Sequence, residues 1–176
     1  MSAATYNPRV SHEDHRSRGP AVVGCFVLTV SDTRTPHTDT SGQTIRTLLQ
    51  EAGHVVTGSQ IVPDEPPRVT AAVREWLTHP ATRVILTTGG TGITARDGTF
   101  EAVDGLFEKR LEGFGELFRM LSFQDIGPPA MLSRATAGTV GRKAVFLLPG
   151  SEPAVRLALT RLVLPELGHI VQQLDK

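Results

Sequence analysis

A chain of 176 residues is long enough for one ordinary domain with a well-packed core. Its 39% hydrophobic and 20% charged residues are typical of a soluble globular protein. Eighteen Lys and Arg balance eighteen Asp and Glu, which argues against nucleic acid as the main partner, because phosphate backbones are bound by an excess of basic residues. The sequence also contains no apolar stretch long enough to span a membrane.

The first twenty residues differ from the rest of the chain. Residues 1–20 are polar and have no apolar period, which predicts a flexible arm, or one ordered only against a neighbouring subunit. The arm lacks the apolar segment of a secretory signal, so a cytoplasmic location is expected. We therefore place a single domain at residues 21–176. Its lone cysteine, Cys25, lies in an apolar run and is predicted to be a buried hydrophobe.

Apolar runs and amphipathic segments alternate along the first half of the domain. Continuous apolar runs predict buried strands, and apolar residues at i, i+3, i+4 and i+7 predict helices. The predicted order is strand 22–30, a helix at 45–52 that ends at Gly53, strand 55–62, helix 69–77 with Pro66 and Pro67 in its first turn, and strand 84–87.

The second half adds helices and one hairpin. Helical spacing recurs at 103–107 and, after a break at Gly113, at 114–121. Residues 133–140 and 143–148 flank Gly141-Arg142, which is a hairpin signal, and the chain ends in helices at 154–164 and from Pro165 onward. This order predicts a three-layer α/β/α domain with a mostly parallel, mixed sheet that includes one antiparallel strand.

Polar or Gly-rich clusters follow four of the predicted strands. They are 29–32, 62–65, 87–92 and 149–151. Because the carboxyl ends of parallel strands meet at one edge of the sheet, where ligands bind in open α/β folds, we expect these clusters to form one site.

The segment 88–92 (TGGTG) offers backbone N–H groups suited to phosphate oxygens. It is neither a Walker loop nor a dinucleotide-binding motif, so a bound nucleoside triphosphate would depend on Mg²⁺ held by carboxylates. Asp64 and Asp97, both just past strand ends, are the best-placed carboxylates. The alternative for each of them, and for Ser151, is a helix-capping role.

At these motifs the chain resembles the molybdenum-cofactor biosynthesis family that includes MogA and MoaB. The resemblance covers residues 19–176, and residues 112–127 are similar to MoaB in particular. The matching residues are Ser31-Asp32, Pro63-Asp64-Glu65, Thr88-Gly89-Gly90-Thr91-Gly92, Arg96-Asp97, Glu101-Ala102, Leu132-Ser133-Arg134 and Pro149-Gly150. One departure is Phe100, which stands where the family often has the proline of R-D-x-T-P-E-A and puts the local backbone in question.

The resemblance implies molybdopterin adenylyltransferase activity. In that reaction the terminal phosphate of molybdopterin attacks the α-phosphorus of ATP and releases pyrophosphate, with Mg²⁺ required. Asp64 and Asp97 would be the catalytic, Mg²⁺-organising carboxylates. The residues implied to bind substrate are Ser31, Asp32, Thr88, Gly89, Gly90, Thr91, Gly92, Glu101, Ser133, Arg134, Pro149, Gly150 and Ser151.

The resemblance also implies partners. They are molybdopterin, ATP, other enzymes of the same pathway and further copies of the chain in a trimer or, by preference, a hexamer. Phe114 and Phe118 are possible contact positions, although core packing is the commoner explanation for such residues.

Three other functions stay open. A non-catalytic carrier of molybdopterin is the main alternative, and the presence of both Asp64 and Asp97 favours the enzyme over it. Metal insertion, as in the MoeA relatives, is disfavoured because those chains carry additional domains. The related domain of competence/damage-inducible proteins is disfavoured by residues 112–127.

Overall fold

The computed structural model describes residues 19–176. The predicted arm lies outside these residues except for Gly19 and Pro20, which lie against Gly168 in the last helix. The strands are β1 (Gly24–Val30), β2 (Val55–Val62), β3 (Val84–Thr88), β4 (Lys109–Arg110), β5 (Thr136–Val140) and β6 (Lys143–Leu148). The helices are α1 (Thr40–Glu51), α2 (Pro66–Thr78), α3 (Thr99–Asp104), α4 (Glu112–Ile126), α5 (Glu152–Ala158) and α6 (Leu164–Leu174).

The six strands form one mixed sheet in the order β2-β1-β3-β6-β5-β4. β2, β1, β3 and β6 are parallel neighbours, whereas β5 pairs antiparallel with both β6 and β4. Strand β5 therefore runs against the others, as the predicted hairpin at Gly141-Arg142 requires, and Gly141 adopts the positive φ of 55° that such a turn favours. The predicted mixed α/β sheet is confirmed.

Helices cover both faces of the sheet and enclose two apolar clusters. One cluster lies between the sheet and α1, α4, α5 and α6, and it includes Ile45, Phe118 and Leu167. The other lies between the opposite face and α2 and α3, and it includes Phe26 and Val73. This is the predicted three-layer arrangement, which follows from strands that are apolar on both faces.

Single side chains of the core behave as their sequence context predicts. Cys25 is fully buried in β1, and burial raises the pKa of its thiol to about 12. Trp76 packs against the second cluster and stacks on Phe26 with ring centroids 3.9 Å apart. Phe114 and Phe118 are buried, so core packing is their role within the chain.

The segment between β3 and β5 differs from the prediction. Helix α3 ends at Asp104, so Leu106 and Phe107 lie beyond it. The ring of Phe107 packs against Gly138, where a larger residue would clash with it. Gly113 lies inside α4 rather than breaking the helix. The expected strand from residue 133 begins at Thr136, after a 3₁₀ turn at Pro128–Leu132.

The C-terminal helical region is continuous. A π-helical turn, Leu159–Val163, joins α5 to α6, and the helix runs on through Pro165 as the sequence predicted. Within residues 19–176, no helix has the length and apolar character needed to cross a membrane.

An ion pair ties the C-terminus to the sheet and supports a pH-dependent prediction. Arg83 donates to both carboxylate oxygens of Asp175, at 2.6 and 3.3 Å, and this hydrogen bonding lowers the pKa of Asp175. A carboxyl group whose pKa is lower in the folded state stabilises the protein at pH values above its unfolded-state pKa of about 3.9. That stability is lost as the pH falls through the pKa of the folded state.

We therefore expect Asp175→Asn to lower the melting temperature by about 1–2 °C at neutral pH and to have no effect in strong acid. Thermal melts between pH 2 and 7 measure this, with the exposed Asp125→Asn as control. A Tm difference that stays constant across this range would contradict the assignment.

Candidate functional site

The four polar clusters meet at the carboxyl edge of the parallel strands. The Ser31 N–H donates to the Val62 carbonyl at 2.8 Å, and the Gly89 N–H donates to the Leu148 carbonyl at 3.2 Å. The Thr88 hydroxyl donates to the Pro149 carbonyl at 2.8 Å. These contacts join the segments after β1 and β2 and those after β3 and β6.

Asp32 links three of these segments through one carboxylate. Its Oδ1 accepts from the Asp64 N–H at 3.1 Å, and its Oδ2 accepts from Arg96 Nε at 3.0 Å and Nη2 at 2.8 Å. Hydrogen bonding from Arg96 and from the Asp64 N–H lowers the pKa of Asp32. In this structure the side chain of Asp32, predicted to bind substrate, holds neighbouring parts of the site in place.

The Gly-rich loop of residues 88–92 has a backbone that a ligand can approach closely. Gly89 and Gly90 have φ values of +100° and +63°, which favour glycine. Among residues 19–176, no acceptor is found for the N–H groups of Gly90 or Thr91. An anion bound at the loop would find two donors available there.

The carboxylates of Asp64 and Asp97 both lie against this loop. A Cβ built on Gly90 would lie 2.7 and 2.9 Å from the two carboxylate oxygens of Asp64. A Cβ built on Gly92 would lie 2.6 Å from Oδ2 of Asp97. The structure thus places both carboxylates against the loop, separated by the glycines.

The capping hypotheses for the two aspartates do not match the structure. The N-cap of α3 is Gly98, not Asp97. Asp97 Oδ2 instead accepts from the N–H of Thr94 at 2.9 Å and from its hydroxyl at 2.7 Å. Asp64 precedes α2, whose N-cap is Glu65, and its Oδ1 accepts from the Gly98 N–H at 3.3 Å.

The two carboxylates have opposite electrostatic environments. Burial raises the pKa of Asp64, and the negative charges of Asp97 and Asp32 raise it further. Hydrogen bonds from Thr94, its hydroxyl first, lower the pKa of Asp97. Placing a cation between the Asp64 and Asp97 carboxylates would relieve the repulsion that raises the Asp64 pKa.

The donor set fits Mg²⁺ bound together with a phosphate. Within the part of the chain that the structure describes, no group of three or more His, Cys, Asp or Glu side chains is arranged to hold a metal alone. Mg²⁺ is commonly held through one or two carboxylates plus substrate phosphates and water. Asp64 and Asp97, beside a loop whose Gly90 and Thr91 N–H groups have no acceptor among residues 19–176, meet that requirement.

Arg134 forms the wall of the site on the side of α3. Its guanidinium pairs with Glu101 and donates to the carbonyls of Thr91 and Asp97, each at 3.3 Å. It also lies 5.1 Å from the ring centroid of Phe100, a cation–π geometry. Helix α3 still begins at Thr99, so Phe100 keeps the helix start that a proline would preset.

Five of the predicted substrate-binding residues line three surface depressions, whereas residues 88–92 and 149–151 line none of these three. Ser31 and Asp32 line a cavity of about 710 Å³ together with Arg34 and Arg46. Asp97, Glu101 and Arg134 line one of about 510 Å³. Ser133 and Arg134 line a third, of about 260 Å³.

The last cluster, 149–151, contributes mainly backbone. The Gly150 carbonyl accepts from the Ser41 hydroxyl at 2.8 Å, and a Cβ on Gly150 would approach Gly89 to 3.3 Å. Ser151 is the N-cap residue of α5, as the capping hypothesis requires, but its side chain makes no capping hydrogen bond.

Three residues of the site received no role from the sequence. Arg96 pairs with Asp32, Thr99 lies beside Gly90, and Ser41 supports Gly150. Arg96 and Thr99 lie within two positions of Asp97 in the motif that carries the resemblance, so that motif was an available signal. Ser41 is 109 positions from Gly150, and no local pattern marks that contact.

Comparison with known proteins agrees with this architecture. Residues 26–169 match the family model described as "Probable molybdopterin binding domain". The molybdenum cofactor biosynthesis protein B of Bacillus cereus is 52% identical over 168 residues, which cover 95% of this chain and 99% of the relative.

Two solved structures show the same fold over nearly their whole length. A crystal structure of a molybdenum cofactor biosynthesis protein B is 54% identical, with a TM-score of 0.87 over 90% of this chain and 99% of the other. The tungsten cofactor synthesizing protein MoaB from Pyrococcus furiosus is 38% identical, with a TM-score of 0.80 over 89% and 99%. The fold therefore is that of the family described as a probable molybdopterin binding domain. The chain belongs to the MoaB/MogA family of molybdenum cofactor biosynthesis proteins.

Proposed function

We propose that the protein acts in molybdenum cofactor biosynthesis as a molybdopterin adenylyltransferase. An oxygen of the terminal phosphate of molybdopterin would attack the α-phosphorus of ATP, and the bond from that phosphorus to the pyrophosphate would break. The observation that carries the proposal is the pair Asp64 and Asp97, whose carboxylates lie against Gly90 and Gly92 of the same loop. Membership of a family described as molybdopterin-binding supports the choice of substrate.

Each part of the site would have a defined task. The N–H groups of Gly90 and Thr91 would hold a phosphate, and Arg134 would close the adjoining wall. Asp64 and Asp97 would hold Mg²⁺, which when bound would neutralise charge on the reacting phosphates. Transfer of this kind depends mainly on positioning and charge neutralisation, which fits a site rich in fixed hydrogen bonds.

The direct test is to incubate the protein with molybdopterin, ATP and Mg²⁺. We expect adenylylated molybdopterin and pyrophosphate in equal amounts, and loss of both when EDTA removes the metal. Tight molybdopterin binding without any product would contradict the enzyme and support the carrier. No binding of molybdopterin would contradict both.

We also propose that the protein works as a trimer or a hexamer. An apolar stripe on α4, formed by Leu117, Met120 and Phe123, is 47–58% exposed on the side opposite the buried Phe118. Met131 and Leu132 in the following 3₁₀ turn are exposed as well. Contiguous exposed apolar surface of this kind is typical of interaction surfaces.

We expect light scattering of the wild type at micromolar concentration to show three or six copies. Met120→Glu combined with Phe123→Glu is expected to lower that mass, because it would bury charges in the interface. Val22→Glu, at a similarly exposed apolar residue, is the control. A monomeric wild type would contradict the assembly, and an unchanged mass in the double variant would place the interface elsewhere.

A further inference from the structure

The hydroxyl of Thr99 is buried and has no hydrogen-bond partner in the described part of the chain. Thr99 is the first residue of α3 and is 0% exposed. Its backbone N–H donates to the Gly90 carbonyl at 3.0 Å, so the residue is fixed against the loop. A buried hydroxyl without a partner costs free energy, and such groups in native structures call for an explanation.

The orphan hydroxyl and the Asp64 carboxylate border the same small space. A Cβ built on Gly90 would lie 2.1 Å from Thr99 Oγ1 and 2.7 Å from Asp64 Oδ2. Only a glycine at position 90 leaves this space open between the two groups. The neighbouring Gly98 N–H already donates to Asp64 Oδ1 at 3.3 Å, so the start of α3 faces both oxygens of this carboxylate.

We propose that Thr99 is a positioning residue for Asp64 in the adenylylation reaction, an inference that rests on the proposed function. When a phosphate occupies the loop, the Thr99 hydroxyl donates to Asp64 Oδ2 while the Gly98 N–H holds Oδ1. Donors on both oxygens fix the plane of the carboxylate and direct its remaining lone pairs toward the cation. Such supporting hydrogen bonds commonly change metal affinity or activity by about 10- to 100-fold.

The variants Thr99→Val and Thr99→Ser separate this role from a structural one. Thr99→Val is expected to lower kcat about tenfold or more, with little change in KM for molybdopterin. Its melting temperature should not fall, because an unpaired buried hydroxyl is replaced by a group of the same shape. Thr99→Ser keeps the hydroxyl and is expected to restore most of the rate. Thr139→Val is the matched control, since Thr139 is also buried and lies in β5, outside the four clusters of the site.

A double-mutant cycle tests whether Thr99 acts through Asp64. In an Asp64→Asn background, Thr99→Val should cause little further loss of rate, whereas independent roles would multiply. A full additional loss would overturn the proposal. A lowered melting temperature in Thr99→Val, together with a rate that Thr99→Ser fails to restore, would also overturn it.

Cation binding provides a readout that does not depend on turnover. Electron paramagnetic resonance of Mn²⁺, with an ATP analogue bridged by methylene between the α- and β-phosphorus, should show weaker binding by Thr99→Val than by wild type or Thr139→Val. Equal Mn²⁺ affinities would overturn the role of Thr99. A wild type that binds Mn²⁺ and analogue but forms no adenylylated product would contradict the proposed function, and the affinity comparison would still decide the inference.

Discussion

Replacing Asp97 or Asp64 by asparagine is expected to lower the rate of molybdopterin adenylylation about a hundredfold or more, while the protein stays folded. Loss of one charge contact in a transition state commonly has an effect of this size. Asparagine keeps nearly the same shape, and its oxygen can still accept from Thr94 at position 97 or from Gly98 at position 64. The loop around each position should therefore persist.

Stability and binding measurements separate this effect from unfolding. Asp64→Asn removes a buried carboxylate whose pKa is raised by burial and by two negative neighbours, so its melting temperature at neutral pH should equal or exceed that of wild type. Molybdopterin should still bind to Asp97→Asn, because the N–H groups of the loop are unchanged. Wild-type turnover in Asp97→Asn would remove the catalytic assignment, and the exposed Asp125→Asn serves as control.

Gly90→Ala is expected to abolish turnover. It is also expected to lower the stability of the fold more than a Gly→Ala substitution at another glycine with a positive φ. Position 90 has a φ of +63°, and its new Cβ would lie 2.1 Å from Thr99 Oγ1 and 2.7 Å from Asp64 Oδ2. Both side chains lie in a packed region, so the clash displaces the carboxylate that we propose to be catalytic.

Gly53→Ala provides the matched control for backbone strain. Gly53 has a φ of +82°, yet a Cβ there would meet nothing within 4 Å. We expect it to cost about 1–2 kcal/mol from the left-handed conformation alone, and to keep wild-type turnover. Thermal melts and the adenylylation assay on both variants test the comparison. Equal losses of stability, with activity retained in Gly90→Ala, would mean that the space beside Gly90 is not part of the site.

The sequence by itself determined the layers of the fold and the edge of the sheet at which the polar clusters of the candidate site meet. The apolar runs at β1 and β3 predicted strands covered on both faces, and the spacing from Ile45 to Leu49 predicted a helix with one buried side. These are local periodicities, so they can be read without knowing the partner. The position of Asp64 and of the 88–92 loop at the carboxyl edge followed from the same alternation.

The tertiary structure alone decided which side chains meet at that edge. Asp32 accepts hydrogen bonds from Arg96, 64 positions away in the sequence, and from the backbone N–H of Asp64, 32 positions away. No local pattern links these residues. The short helix α3 and the two-residue strand β4 likewise depend on distant contacts, such as the packing of Phe107 over Gly138. Periodicity describes how one segment buries its own face. The hydrogen bonds of a site instead join segments whose relative placement is set by packing of the whole domain. For the same reason, the burial of the Thr99 hydroxyl could be identified only in the folded chain.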